Sequence, residues 1–196
     1  MRALALAAAA LLAAPAARAA VGRTAAGFLK RSMGARAAAM GGAHAAVVDP
    51  GAEAPQHNPA GLSRVPRRTV STSYLKGFGG VTHGNLAYAH PLPYGALGAG
   101  LLYFNAGPIA LNLSDGTKRT VTSEEDMAWT LSYGATVAYG LSVGATYRFL
   151  RMELAETASA TSHQGDFGAQ WRTPVKGLSL GAAYQYAGRA IVFEEA

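Results

Sequence analysis

Several residues in this 196-residue chain have types and spacings that invite a chemical reading. His57 stands six positions from Ser63, a base and a hydroxyl. His163 stands three from Asp166, a base and an acid able to orient it. Acid–base and nucleophilic catalysis need base, orienting partner and nucleophile within hydrogen-bond reach of one another. No serine stands in a nucleophile-elbow pattern, and no histidine pair has metal-ligand spacing. The run GALGAG, residues 95–100, superficially resembles a phosphate loop, but no helix follows and it lies inside an alternating stretch. Glycine there relieves crowding or marks a bend. Arg148, Arg151, Glu153 and Glu156 could line a pore, with a solvated loop rim as the default. The expectation is a protein that is not an enzyme, without catalytic residues, metal or cofactor. His57, Ser63, His163 and Asp166 then read as polar loop groups.

The elements that would position these residues begin with the composition. Charged residues make up 14% of the chain, against about 25% in an average soluble domain. There are 24 glycines and no cysteine, which rules out a disulfide scaffold, a thiolate metal site and a lipidated N-terminal cysteine. Residues 1–19 read as a secretory signal: Arg2, an apolar run from Ala3 to Ala14, then Ala17-Arg18-Ala19 as a small-x-small cleavage site. That run is shorter than the about 20 residues of a membrane-spanning helix. Bases gather between Ala20 and Lys76 (Arg23, Lys30, Arg31, Arg36, Arg64, Arg67, Arg68, Lys76) against Asp49 and Glu53. They are scattered and lack interleaved aromatics, so nucleic acid is not expected as a partner. A solvated surface is the bland reading, and anionic lipid headgroups or an anionic ligand the functional one.

Residues 20–68 are irregular and glycine-punctuated. Asp49-Pro50 suits a helix start, and Pro55 and Pro59 limit any helix to a turn or two. From Thr69 the period becomes two. In residues 126–139, Met127, Trp129, Leu131, Tyr133, Ala135, Val137 and Tyr139 share one face, while Ala128, Thr130, Ser132, Gly134, Thr136 and Ala138 share the other. Residues 141–151 repeat the scheme with Leu141, Val143, Ala145, Tyr147 and Phe149, across a Tyr139-Gly140 hairpin. Leu178, Leu180, Ala182, Tyr184 and Tyr186 follow it again. Residues 69–75, 84–92, 95–104 and 164–173 complete about seven meander strands of roughly ten residues.

Such strands, tilted by about 45°, cover the roughly 25 Å apolar band of an outer membrane. Short links at Pro93 and Tyr139-Gly140 oppose a long polar one from Ala106 to Glu125. The competing reading is a soluble secreted or periplasmic β-sandwich binding protein. Aromatic strand ends, sparse charge and strands longer than about six residues favour an antiparallel transmembrane β-barrel. The aromatic girdle falls on Trp129, Tyr139, Tyr147, Phe149, Tyr184 and Tyr186. Bacterial single-chain barrels use an even number of strands, so seven read as the N-terminal portion of a longer barrel or as one of several copies that assemble, the former being simpler.

The run GFLKRSMGARAAAMGGAHAAVVDPGAEAPQHNPAGLS resembles the N-terminal region of FadL-type outer-membrane transporters, and most closely their PorV/PorQ relatives of type IX secretion. The matching elements are Phe28-Leu29-Lys30, Gly34-Ala35-Arg36, Met40-Gly41-Gly42-Ala43, Asp49 and Asn58-Pro59-Ala60-Gly61-Leu62. PYGALGAGLLYFNAGPI, SEEDMAWTLSYG and LSVGATYRFLRMEL continue the likeness. The chain departs from it at Pro55, Gln56 and His57, where apolar or aromatic residues are usual. The resemblance implies an N-terminal hatch over residues 20–68 inside an incomplete barrel formed by residues 69–196. It implies outer-membrane placement with lipid around the barrel, and either docking of secretion-system proteins or passage of a hydrophobic small molecule. Met40, Gly41, Gly42 and Ala43, with Asn58, Pro59, Ala60 and Gly61, become hatch motifs and candidate ligand contacts. The residues themselves give Asn58-Pro59 a positional part: proline holds Asn58 extended, the asparagine side chain caps nearby backbone, and Gly61 frees the chain to turn.

Overall fold

A computed structural model describes residues 26–47, 51–112, 116–189 and 191–195. The signal-like segment and Asp49-Pro50 lie outside the described residues. The chain is mostly antiparallel sheet. Its strands are β1 (Thr69–Lys76), β2 (Thr82–Leu92), β3 (Gly95–Asn105), β4 (Pro108–Asn112), β5 (Lys118–Thr122), β6 (Glu124–Ala138), β7 (Leu141–Leu154), β8 (Ala158–Arg172), β9 (Ser179–Gly188) and β10 (Glu194–Glu195). The main sheet runs β1-β2-β3-β6-β7-β8-β9, and β10 pairs β8 in line with β9. All seven strands read from the sequence are present and in meander order.

Three differences from expectation have local causes. Residues 106–125 are not simply loop, since β4 and β5 pair as a hairpin projecting between β3 and β6. Its strands are only five residues each (PIALN and KRTVT) and give little periodic signal. β6, β7 and β8 have 15, 14 and 15 residues, longer than the expected ten. The links also alternate only in part, because three residues (155–157) join β7 to β8 while six (173–178) join β8 to β9. The Tyr139-Gly140 turn forms as read, both residues having positive φ (42° and 80°), as a primed two-residue hairpin requires.

The segment before the sheet is compact: 3-10 turns at Gly27–Lys30, Ala54–Gln56 and Pro59–Arg64, and one short helix, α1 (Ala35–Ala39). This plug lies on the face of the sheet that bears small and polar residues. Phe28, Leu29 and Met33 bury themselves on Leu102, Ala128 and Leu150. Leu62 and Val65 pack with Ala52, Ala87, Ala89 and Ala96. Each fully buried Leu or Phe contributes roughly 1.5–3 kcal/mol, so two apolar anchors hold the plug at opposite ends.

The other face is apolar and exposed. Leu86, Leu97, Trp129, Leu131, Tyr133, Val143, Tyr147, Phe167, Trp171, Leu180 and Tyr184 all expose more than a third of their surface. Beneath the plug, Asn85, Ser132, Ser142, Thr146, Arg148, Asp166 and Gln170 are buried. A soluble sheet ordinarily buries its apolar face and solvates the polar one; this sheet does the reverse.

Candidate functional site

The inner face is layered, as the strand register shows. Gly98, Ser132, Thr146 and Asp166 lie opposite one another across β3, β6, β7 and β8, and Ala96, Gly134, Gly144 and Gly168 form the next row. The Asn58-Pro59-Ala60 backbone lies over that glycine lane. A Cβ on Gly134 would stand 2.6 Å from the Pro59 carbonyl oxygen, one on Gly144 2.6 Å from the Ala60 nitrogen, and one on Gly168 2.9 Å from Pro59 Cδ. In the adjoining row, a Cβ on Gly98 would meet Leu62 at 2.9 Å. No side chain fits between wall and plug there.

Asn58 fastens the contact. Its backbone is extended (φ −159°, ψ 111°), as the following proline requires, and its Oδ1 accepts from Ala60 N at 3.0 Å. Its Nδ2 faces three carbonyls: Ala45 in the plug (2.8 Å), Ala169 in β8 (3.0 Å) and Ala182 in β9 (3.2 Å). The capping read from the sequence is present, and the ties to two strands are additional. Gly61 differs from expectation. It lies within the Pro59–Arg64 turn without a positive φ, and a Cβ there would press on Ala54 at 3.1 Å. Its glycine serves close packing, and the chain leaves the turn at Val65, which is extended.

The second motif singled out in the sequence contrasts with the first. Met40, Gly41, Gly42 and Ala43 are all exposed, whereas Asn58, Pro59, Ala60 and Gly61 are buried. Gly41 and Gly42 have positive φ (63° and 81°) and close the turn after α1.

Between the two apolar anchors runs a polar belt that sequence reading missed. Arg148 on β7 and Asp166 on β8 form an ion pair (Nη2 to Oδ2, 2.5 Å) with side chains only 1% and 0% exposed. Asp166 also accepts from the Tyr186 N–H (2.7 Å), and the Arg148 guanidinium lies 5.1 Å from the Tyr186 ring centre. The Tyr186 hydroxyl donates to the Leu29 carbonyl in the plug at 2.8 Å. Gln56 Nε2 donates to Asn85 Oδ1 (2.6 Å), Gln185 Nε2 to the Gln56 carbonyl (2.8 Å), and Gln170 Nε2 to the Ala45 carbonyl (2.9 Å). Arg64 donates to the Gly140 carbonyl at 3.4 Å; burial, then the charge of Arg172, holds its pKa below the ordinary value.

Two expectations are corrected here. His163 and Asp166 lie in the middle of β8, not in a loop, and they face opposite sides. His163 meets Tyr147 (hydroxyl to Nδ1, 2.6 Å) outside, while Asp166 is committed to Arg148 inside. Likewise Arg148 is no rim residue, and Glu156 pairs with Arg119 of the β4–β5 hairpin at 3.1 Å. His57 and Ser63 are not joined: the Ser63 hydroxyl donates to the Ala60 carbonyl (2.8 Å), and the His57 ring faces His44 with centroids 4.9 Å apart.

Of the expected aromatic row, Trp129, Tyr147, Phe149 and Tyr184 occupy the outer face, and Tyr139 is fully exposed at its turn. Trp129 stacks on Phe149 at 5.6 Å. Tyr186 does not belong to this row. A bulge between Gly165 and Phe167, with Tyr186 at φ 61°, turns its side chain to the plug. Tyr94, Tyr133 and Trp171 gather instead near the short-link end, where Tyr133 donates to the Tyr94 carbonyl (2.9 Å) and Trp171 to the Tyr139 carbonyl (3.3 Å).

Comparison with protein-family models, with curated proteins and with solved structures finds no match in any of the three.

Proposed function

We propose that this chain supplies part of the wall and the plug of an outer-membrane β-barrel of the PorV/FadL type, exported by its N-terminal signal and acting as a docking scaffold for a secretion machine. The observation carrying this reading is the inverted polarity of the sheet: the apolar, aromatic-bearing face is exposed and the polar face is covered by the plug. Lipid is the solvent in which such a face is favourable. In a soluble sandwich the apolar face would be the one covered.

Docking is preferred to free passage because the plug is bonded to wall backbone at Ala169 and Ala182 and seated on glycines that leave it no clearance. The β4–β5 hairpin, inserted between β3 and β6 at the long-link side, offers a partner an added surface.

The expected result on cell fractionation is recovery of the mature protein with outer membranes. Recovery as a soluble periplasmic monomer would overturn the barrel reading. Co-purification with secretion proteins supports docking. Saturable fatty-acid uptake that is lost on deleting residues 20–68 would instead give the hatch a gating part in passage of apolar molecules.

A further inference from the structure

A cavity of about 230 Å³ lies where the Gly27–Lys30 turn and the α1 turn of the plug meet β7 and β9. Lys30 and Arg31 reach it from the plug, Arg148 from β7 and His57 from the 3-10 turns; Ser32 and the amides of Gln56 and Gln185 add hydrogen-bonding groups. Among the described residues lining it there is no aspartate or glutamate. Arg148 is 1% exposed. Its Nη2 is held by Asp166, yet its Nε finds no acceptor among the described residues. That Nε is itself sealed from solvent and does not open onto the cavity, so the guanidinium acts there through its charge alone. Asp166 balances Arg148, so the excess positive charge of the cavity comes from Lys30 and Arg31.

We propose that this cavity binds a small, multiply charged oxyanion of the phosphate or sulfate class, held by Lys30 and Arg31 of the plug where Arg148 lines the wall behind them. The volume lies below the roughly 300–1,000 Å³ of pockets that enclose drug-sized ligands, which suits a compact anion and leaves no room for an acyl chain. The assignment stands on the cavity itself, whether or not the outer face meets lipid.

Isothermal titration of the purified full chain with inorganic phosphate, at constant ionic strength in chloride, tests it. One saturable site per chain is expected. The double variant Lys30→Gln/Arg31→Gln, at two exposed positions, is expected to weaken binding by about tenfold or more, the equivalent of losing one charge-assisted contact. Arg67→Gln/Arg68→Gln, equal in charge change at exposed sites at the far end of the plug, is expected to leave the affinity unchanged. The absence of saturable phosphate binding overturns the proposal. So does equal weakening by the Arg67/Arg68 pair, which would mean diffuse attraction, and so does binding of dispersed phosphatidic acid without binding of inorganic phosphate, which would place the anion on an open surface.

Discussion

The two faces of β7 carry opposite kinds of specification. Outward, Val143, Ala145 and Tyr147 are exposed side chains that any apolar neighbour would suit. Inward, Ser142, Gly144, Thr146, Arg148 and Leu150 each meet a particular partner: a hydroxyl, a plug backbone, another hydroxyl, a carboxylate and an apolar cluster. The outer face is set by solvent preference and tolerates exchange. The inner face is set by shape and pairing, where one added methyl or one lost donor is felt.

Substitutions on the same strand break this comparison most sharply. Gly144→Val drives a branched side chain into the Pro59-Ala60 backbone and is expected to unseat the plug, at a cost of about 4 kcal/mol or more. Its neighbour Ala145→Val, on the outer face, is expected to stay within about 0.5 kcal/mol. Urea unfolding of both variants in one detergent reads the contrast, and equal losses would remove the distinction between the faces.

Next comes the buried ion pair. Arg148→Met leaves Asp166 charged, buried and unpaired, an expected loss of about 3–5 kcal/mol. The double variant Arg148→Met/Asp166→Leu is expected to recover most of it, since two apolar groups of similar volume need no partner. A double variant no better than the single one would mean that Arg148 stabilises through the plug rather than through Asp166.

The smallest of the three effects is expected at Asn58→Ala. Losing the cap and the tie to the Ala169 and Ala182 carbonyls costs about 2–3 kcal/mol while the glycine lane and Leu62 remain. Thermal unfolding, with limited proteolysis between residues 26 and 68, distinguishes a loosened plug from a damaged wall: only the first leaves the strands protected.

The outer face was legible because Trp129 to Val137 and Leu141 to Phe149 alternate without interruption, and alternation needs no knowledge of partners. The inner face was legible only as small and polar. Gly134, Gly144 and Gly168 line up through register, which depends on two hairpins at once, and their spacings of ten and 24 residues carry no local signal. Arg148 and Asp166 pair diagonally, 18 residues apart, for the same reason. Tyr186 was misplaced because the bulge inserts one residue into β9, and a period-two rule assigns every residue beyond such an insertion to the wrong face. Asn58 was partly legible: its cap is local to Pro59 and Ala60, while its reach to β8 and β9 spans 111 and 124 residues.

The meander has a consequence of parity. Six antiparallel steps separate β1 from β9, so the two outer strands of the main sheet point the same way. A cylinder closed through antiparallel pairs alone must therefore gain an odd number of strands, the first and last both running opposite to β1 and β9. A second copy rotated about the cylinder axis supplies an odd number, seven, but sets β9 of one copy beside β1 of the other in parallel at both seams. Any strands closing this sheet by antiparallel pairing must start in the opposite sense, a directional requirement that same-facing copies of this sheet do not meet.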